Sequence, residues 1–260
     1  MKIYKAYAKV NIFLKITGKR GDYHEILSRF VRIDSLYDEL CFVPKDDEKF
    51  TIIGDFSCEV EQNTIYKAYM ALKRYTSSAS LEKLMKTHAI KVKKNIPAFA
   101  GLGGGSSDGA TFLKMCNAVL DLGLSQNELA QIGLNVGADV PFFVYGYKSA
   151  NVSGIGERVE IFDEELPEIE VYTPDIFIST PKVYKIYRDD FYEPIDGFEA
   201  DRLKHTKSVD ILENMKADEA NDLFKPALRG YPKLKEHYKT GYFFSGSGSS
   251  FFKIKEDDNG

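Results

Sequence analysis

Tryptophan is absent from the 260 residues, cysteine occurs three times and histidine four times. No stretch stays apolar for the roughly 20 residues that a membrane-spanning helix needs. Each scarcity excludes something. Cys41, Cys58 and Cys116 are odd in number and scattered, so a disulfide frame is not indicated, and the histidines form no H-x-x-x-H or Cys/His cluster of the zinc-binding kind. The opening segment MKIYKAYAKV is interrupted by Lys2, Lys5 and Lys9 and lacks the apolar core of a signal peptide, which makes a cytoplasmic protein the expectation. Excess positive charge is missing too. The 35 Lys and Arg against 39 Asp and Glu leave a net charge of −4, the reverse of the footprint of a nucleic-acid or membrane-surface binder. An anionic ligand would therefore have to be met by local lysines. What remains is 43% hydrophobic and 28% charged, the composition of an ordinary soluble globular protein long enough for two domains with cores of their own.

The chain is organised around PAFAGLGGGSSDGAT, residues 97–111. Gly101 and Gly103, Gly104 and Gly105 leave backbone with no side chains in the way, able to approach another molecule closely. Ser106, Ser107 and Asp108 are good N-cap residues for a following helix that runs to about Leu120. Unpaired amides at the positive end of a helix dipole form a phosphate site in outline. The alternative is a flexible glycine-rich turn. The preceding strand AIKVKKNIP, with Lys91, Lys93 and Lys94, favours the anion site. A Walker A loop is excluded because no lysine follows the glycines, and a Rossmann loop because the run does not open a βαβ unit.

Earlier in the chain, residues 2–16 alternate with a period of two, so Lys9 and Asn11 share a face with Lys5, Tyr7, Phe13 and Lys15. On composition alone Lys9 reads as a solvated strand lysine. Residues 17–23 form a turn, after which His24 begins a second extended run; a surface histidine beside a turn is its plain reading. Further strands are predicted at DELCFV and KFTII, and a helix over 64–75 with Ile65, Tyr69 and Leu72 inward and Asn63 as N-cap. Another helix starts at Ser125 and runs to Val136, closed by Gly137. VPFFVY, residues 140–145, reads as a buried strand with Asp139 at its mouth, where a carboxylate is costly unless paired or held at a polar cavity. The acidic DEELPEIE is expected to be a surface connection, IFIST a strand and Pro181 the first turn of a helix. Helices follow over 208–215 and 218–228, and GYFFSGSGSSFFKI reads as strand, Gly/Ser loop and strand, on its own a hairpin.

Three separated motifs, AKVNIFLKITGKRGDYHEI, PAFAGLGGGSSDGAT and YFFSGSGSSFF, resemble in order the three motifs of the GHMP kinase superfamily, whose second reads P-x-x-x-G-L-G-S/G-G-S-S. The first is similar to that of the superfamily's branch in the non-mevalonate isoprenoid pathway, which phosphorylates a cytidylated methylerythritol; VGADVPFFVYG and ANDLF match as well. Two departures stand out: the glycine usual between Asp22 and Tyr23 is missing, and Phe99 occupies a position usually small. The resemblance implies an α+β, two-domain fold. An S5-like N-terminal domain over 1–150 would carry the ATP loop, and a ferredoxin-like domain over 151–260 would flank the active-site cleft.

The resemblance also implies ATP and Mg²⁺ as cofactors, a small-molecule substrate linked to cytidine diphosphate, and no nucleic-acid or membrane partner. By the same resemblance Lys9 and Asp139 are catalytic, Asp139 accepting the hydroxyl proton. Asn63, Lys94, Pro97, Gly101, Leu102, Gly103, Gly104, Gly105, Ser106 and Ser107 bind the nucleotide. Asn11, Tyr23, His24, Thr180, Tyr184, Gly246 and Gly248 face the acceptor, with Tyr23 and Tyr184 sandwiching the cytosine and His24 at its edge. Other kinases of the superfamily, and an inactive nucleotide-binding relative, are the alternatives.

Overall fold

The computed structural model describes residues 2–255. Two long strands, β1 (Tyr4–Arg20) and β2 (Tyr23–Pro44), pair with each other and are joined by the two-residue turn Gly21-Asp22. Gly21 has φ +59°, which a hairpin this tight requires and which glycine alone takes without strain. The expected seven-residue turn is thus mostly strand. The chain divides into two compact units, one of residues up to 8, 34–98 and 103–147, the other of 9–33, 99–102 and 148 onward.

In the first unit, β2 pairs antiparallel with β4 (His88–Lys93), Glu39 opposite Lys93 and Pro44 opposite His88. A short β3 (Ile52–Ile53) lies parallel to β4. Helix α1 (Thr64–Thr76) starts at Asn63, whose side chain accepts the Ile65 amide, and turns Ile65, Ala68 and Leu72 inward. Tyr69 is only half-buried, its ring stacked on Phe50. Helix α2 (Ala79–Thr87) is capped by Ser78. Helix α3 (Gly104–Val119) packs on α1, and α4 (Gln126–Leu134) carries a full capping box between Ser125 and Glu128. That helix ends before Val136. Its C-terminus turns through Asn135 and Val136, and the Gly137 amide reaches the Gly133 carbonyl.

The run VPFFVY is helix α5 (Val140–Tyr145), which corrects the strand reading. A run buried on all sides carries no periodicity to tell strand from helix; Pro141, whose missing N–H and fixed φ suit a first helical turn, is the local signal that decides it.

In the second unit, β2 pairs with β5 (Ser149–Gly154), Ile26 opposite Gly154 and Val31 opposite Ser149, and β5 pairs with β6 (Arg158–Ile161). A separate three-stranded antiparallel sheet sets β9 (Phe251–Ile254) between β7 (Ile169–Tyr172) and β8 (Phe243–Phe244). Helices α6 (Thr180–Ile186), α7 (Gly197–His205), α8 (Ser208–Asn214), α9 (Ala217–Ala220) and α10 (Phe224–Gly230) follow. A π-helical turn, Tyr187–Phe191, continues α6. The sheet closes with β8 (Phe243–Phe244) and β9 (Phe251–Ile254), strands on either side of the Gly/Ser loop as expected. IFIST is not a strand. Ile178 is buried and the Ser179 amide donates to the Tyr231 hydroxyl, so the segment anchors the start of α6 and pairs with no sheet. The helix expected over 218–228 is broken in two at Asn221, whose Oδ1 accepts the Leu223 amide. Among the described residues no helix is long and apolar enough to cross a membrane.

Candidate active site

Lys9 is 3% exposed and Asn11 1%, which removes the solvated reading of the strand lysine. From Ala8 to Leu14 both faces of β1 are buried, so alternation there sorts side chains between two interiors, not between core and water. Burying an ammonium is costly unless it is hydrogen-bonded and paired. The Lys9 Nζ donates to Asn11 Oδ1 at 2.7 Å and to the Gly101 carbonyl at 2.9 Å, and stands 4.7 Å from the centre of the Phe30 ring. The Lys9 backbone amide donates to the Leu102 carbonyl. Lysine and the first part of the glycine loop are therefore tied at two points.

The same stretch of loop is pinned by the third motif. The Ser245 hydroxyl donates to the Gly101 carbonyl at 2.9 Å and the Ser250 amide to the Ala100 carbonyl at 3.0 Å. A methyl group at Gly101 would fall 2.1 Å from the Ser245 carbonyl oxygen, so this glycine exists for backbone to pass against backbone. Asn221 holds the other side of the Gly/Ser loop, its Nδ2 donating to the carbonyls of Phe244 and Gly246. Thr180 and Ser247 share a hydroxyl hydrogen bond of 2.7 Å. Gly246 lies against Asn11, where an added methyl would sit 3.2 Å from Oδ1.

In the first unit, α3 begins earlier than expected. Gly103, with φ +72°, occupies the N-cap position, so Ser106, Ser107 and Asp108 lie inside the helix and do not cap it. A left-handed residue lets the chain enter the helix at once, which only glycine does cheaply. The Ser107 amide closes the first helical bond on the Gly103 carbonyl at 2.9 Å; the amides of residues 104–106 precede it and have no acceptor within the helix. Gly105 is exposed and Pro97 lies on the surface, while Ser107 is buried. The Thr64 hydroxyl holds the Gly105 carbonyl, which ties the α1 start, where Asn63 is spent as a cap, to the glycine loop.

Lys94 is set beside the loop, its Nζ 3.6 Å from where a side chain on Gly104 would begin. It bonds two buried carboxylates, Asp108 at 2.7 Å and Asp38. Burial pulls the lysine down, but the two carboxylates outweigh it and the net shift is upward. Burial pushes Asp108 up to about 7, with Lys94 pulling against it and Asp38 adding to it. Asp139 is half-buried at the N-terminus of α5.

His24 meets Tyr184 ring on ring, at 5.4 Å and 29°, and is edged by Tyr187 at 5.7 Å; Tyr23 is 66% exposed. A face of Tyr184 that the sequence reading leaves to a base is thus covered by the imidazole. Burial, then Lys19 and Arg188, hold the His24 pKa below the ordinary histidine value. Its buried Nε2 has no hydrogen-bond partner.

The family described as GHMP kinases N terminal domain matches residues 63–147. A protein of Sulfurimonas denitrificans named 4-diphosphocytidyl-2-C-methyl-D-erythritol kinase is 68% identical, the alignment spanning 100% of this chain and 99% of the relative. The chain belongs to the 4-diphosphocytidyl-2-C-methyl-D-erythritol kinase family. A second member of that kinase family, from a Sulfurovum species, is 45% identical over 96% of this chain and 98% of its own. The solved structure titled 4-(cytidine 5'-diphospho)-2C-methyl-D-erythritol kinase superposes with a TM-score of 0.74 at 28% identity, over 98% of this chain and 90% of that one. The fold is accordingly the α+β GHMP kinase fold.

Within this member of the 4-diphosphocytidyl-2-C-methyl-D-erythritol kinase family, sequence reasoning missed the residues that hold the motifs in place. Ser28, Asp38, Asp108 as an ion-pair partner and Asn221 are all buried and polar. Their signal is weak, because a serine or aspartate inside an otherwise apolar strand reads as an interruption until its partner is known.

Proposed function

We infer that this chain transfers the γ-phosphoryl group of ATP to the 2-hydroxyl of 4-diphosphocytidyl-2-C-methyl-D-erythritol, in the methylerythritol phosphate pathway to isopentenyl diphosphate. The observation that carries this reading is the 68% identity, over the whole chain, to a relative bearing that enzyme's name. Phosphoryl transfer asks little covalent work of a protein; positioning and charge stabilisation supply most of the rate. In support, the amides of residues 104–106 precede the first helical bond of α3, as a phosphate cradle needs, and Gly105 beside them is exposed. Ser107 contributes its hydroxyl, since its amide is already used.

Among the described residues no group of three or more His, Cys, Asp or Glu is placed to hold a metal. Mg²⁺ brought in with a nucleotide takes most of its oxygens from phosphates and water and needs one or two from protein. Ser106 fits that requirement: its hydroxyl is an oxygen donor on the first turn of α3, 3.8 Å from where a side chain on Gly137 would begin. The ion would neutralise charge on the β and γ oxygens. Asp139 accepts the proton of the attacking hydroxyl, and the Lys9 ammonium, already oriented by Asn11 and Gly101, offsets negative charge as it builds.

Tyr23, His24 and Tyr184 take the cytosine, where stacking is worth about 1–3 kcal/mol per base and discriminates little between bases. Selectivity then falls to hydrogen bonds from His24 and neighbouring backbone. Asn63 and Lys94 lie on the adenosine side, and Thr180 and Gly246 beside the acceptor. The test is ATP-dependent phosphorylation with cytidylated methylerythritol, mevalonate, homoserine and galactose offered in turn. Turnover is expected with the first alone, and Asp139→Asn should abolish it while ATP affinity changes by less than about twofold. Preference for any of the other three acceptors would overturn the assignment.

A further inference from the structure

We propose that Ser28 is a positioning residue for the reaction, setting the orientation of the Asn11 amide and, through it, of the Lys9 ammonium; this rests on the reading above that Lys9 and Asn11 face the reacting groups. Ser28 lies on β2 with no exposed surface, and its hydroxyl has two partners, Asn11 Nδ2 at 2.9 Å and the backbone carbonyl of Phe13.

The polarity of this chain of bonds has one solution. A carbonyl can only accept, so the single hydroxyl proton of Ser28 goes to Phe13, and the Ser28 oxygen is left with lone pairs alone toward Asn11. Asn11 must then turn its NH₂ to Ser28 and its Oδ1 to Lys9, 2.7 Å away. An asparagine amide has two orientations of nearly equal shape, and the wrong one would set NH₂ against the ammonium, donor against donor. A buried donor without an acceptor costs about 1–3 kcal/mol, so the hydroxyl discriminates strongly between them. The Lys9 Nζ is thereby held to Asn11 Oδ1 and the Gly101 carbonyl. The relay carries a backbone dipole of β1 to the lysine.

Steady-state kinetics on the full chain, with ATP and the cytidylated acceptor each varied, tests the relay. Ser28→Ala should lower kcat at least about tenfold and leave both KM values within about twofold, the signature of lost transition-state positioning. Ser28→Thr, which keeps the hydroxyl, should recover most of the rate. Ser28→Cys fills nearly the same volume with a weak hydrogen-bonding group; it should melt as wild type does and still lose turnover, which holds the test open where the alanine variant folds poorly. In an Asn11→Ala background, Ser28→Ala should add less than about twofold, because the group it acts through is gone. An equal loss in both backgrounds would mean that Ser28 only packs, and would overturn the proposal. So would a wild-type kcat for Ser28→Ala and Ser28→Cys when Asn11→Ala has lost turnover. A wild-type kcat for Asn11→Ala would overturn the site reading, and this proposal with it.

Discussion

At Asp108, two buried carboxylates share one partly buried ammonium. Asp38 is fully buried and Asp108 nearly so, and Lys94 bonds both. Only one negative charge is balanced. The second is carried by Asp108, whose Oδ1 has no partner and whose pKa burial raises from 3.8 to about 7. A carboxylate raised in the folded state favours folding while protonated, so this contribution is fully present below about pH 4 and is lost as pH rises to about 7. Asp108→Asn keeps the shape and removes the ionisation. Its thermal stability relative to wild type should therefore improve steadily between about pH 4 and pH 7 and level off above, read as the difference in Tm across a buffer series. A difference independent of pH would place the unbalanced charge elsewhere.

The Gly/Ser loop between β8 and β9 shows how two similar positions in one element separate. From the sequence Gly246 and Gly248 are interchangeable members of one motif. In the fold, a methyl on Gly248 would come within 2.2 Å of the Phe244 ring and 3.0 Å of Ile178, inside the packing of the second unit. A methyl on Gly246 would stand 3.2 Å from Asn11 Oδ1, the atom that orients Lys9. Gly248→Ala is expected to cost stability, on the order of 1–3 kcal/mol of overpacking in urea unfolding, with kcat of the folded protein within about threefold of wild type. Gly246→Ala is expected to lower kcat at least about tenfold in protein that still melts cooperatively. Identical profiles for the two variants would contradict the division.

At the scale of the whole molecule, Arg29 is a buried charge that gathers partners from distant parts of the chain. It is fully buried on β2, with its Nε on Asn151 of β5 at 2.7 Å and its other nitrogens on the Lys204 carbonyl of α7, Ser208 of α8 and Glu164. The Phe162 ring lies 3.4 Å beneath the guanidinium, and burial brings its pKa down to about 10. Glu164 is itself held by the Ser149 and Ser208 hydroxyls and the Ser208 amide. The connection DEELPEIE runs over the surface as expected, with Asp163, Glu165 and Glu168 exposed, but the Glu164 side chain turns inward and Ile169 opens β7. Arg29→Met leaves that carboxylate buried and unpaired, a loss of about 3–5 kcal/mol in urea unfolding, and adding Glu164→Gln should recover part of it. Losses that simply add would show that the two residues stabilise independently.

What local sequence determined is whatever depends on a few neighbouring residues. Asn63 and Ser125 mark helix starts, the turn before Tyr23 a hairpin, the glycine run the approach to α3, and the three motifs in order point to the kinase fold. What only the tertiary structure decided depends on partners far along the chain. Lys94 and Asp38 are 56 positions apart and Arg29 and Glu164 135, so no local pattern announces that these charges meet. The same holds for VPFFVY, where burial on every side erases the periodicity that separates helix from strand, and for Lys9, whose face of β1 meets a second interior where solvent was expected. Local sequence sets backbone preferences of about a kilocalorie per residue. Closing the chain on itself decides which polar groups lose water and must find one another, and a buried charge left without its partner costs several times that.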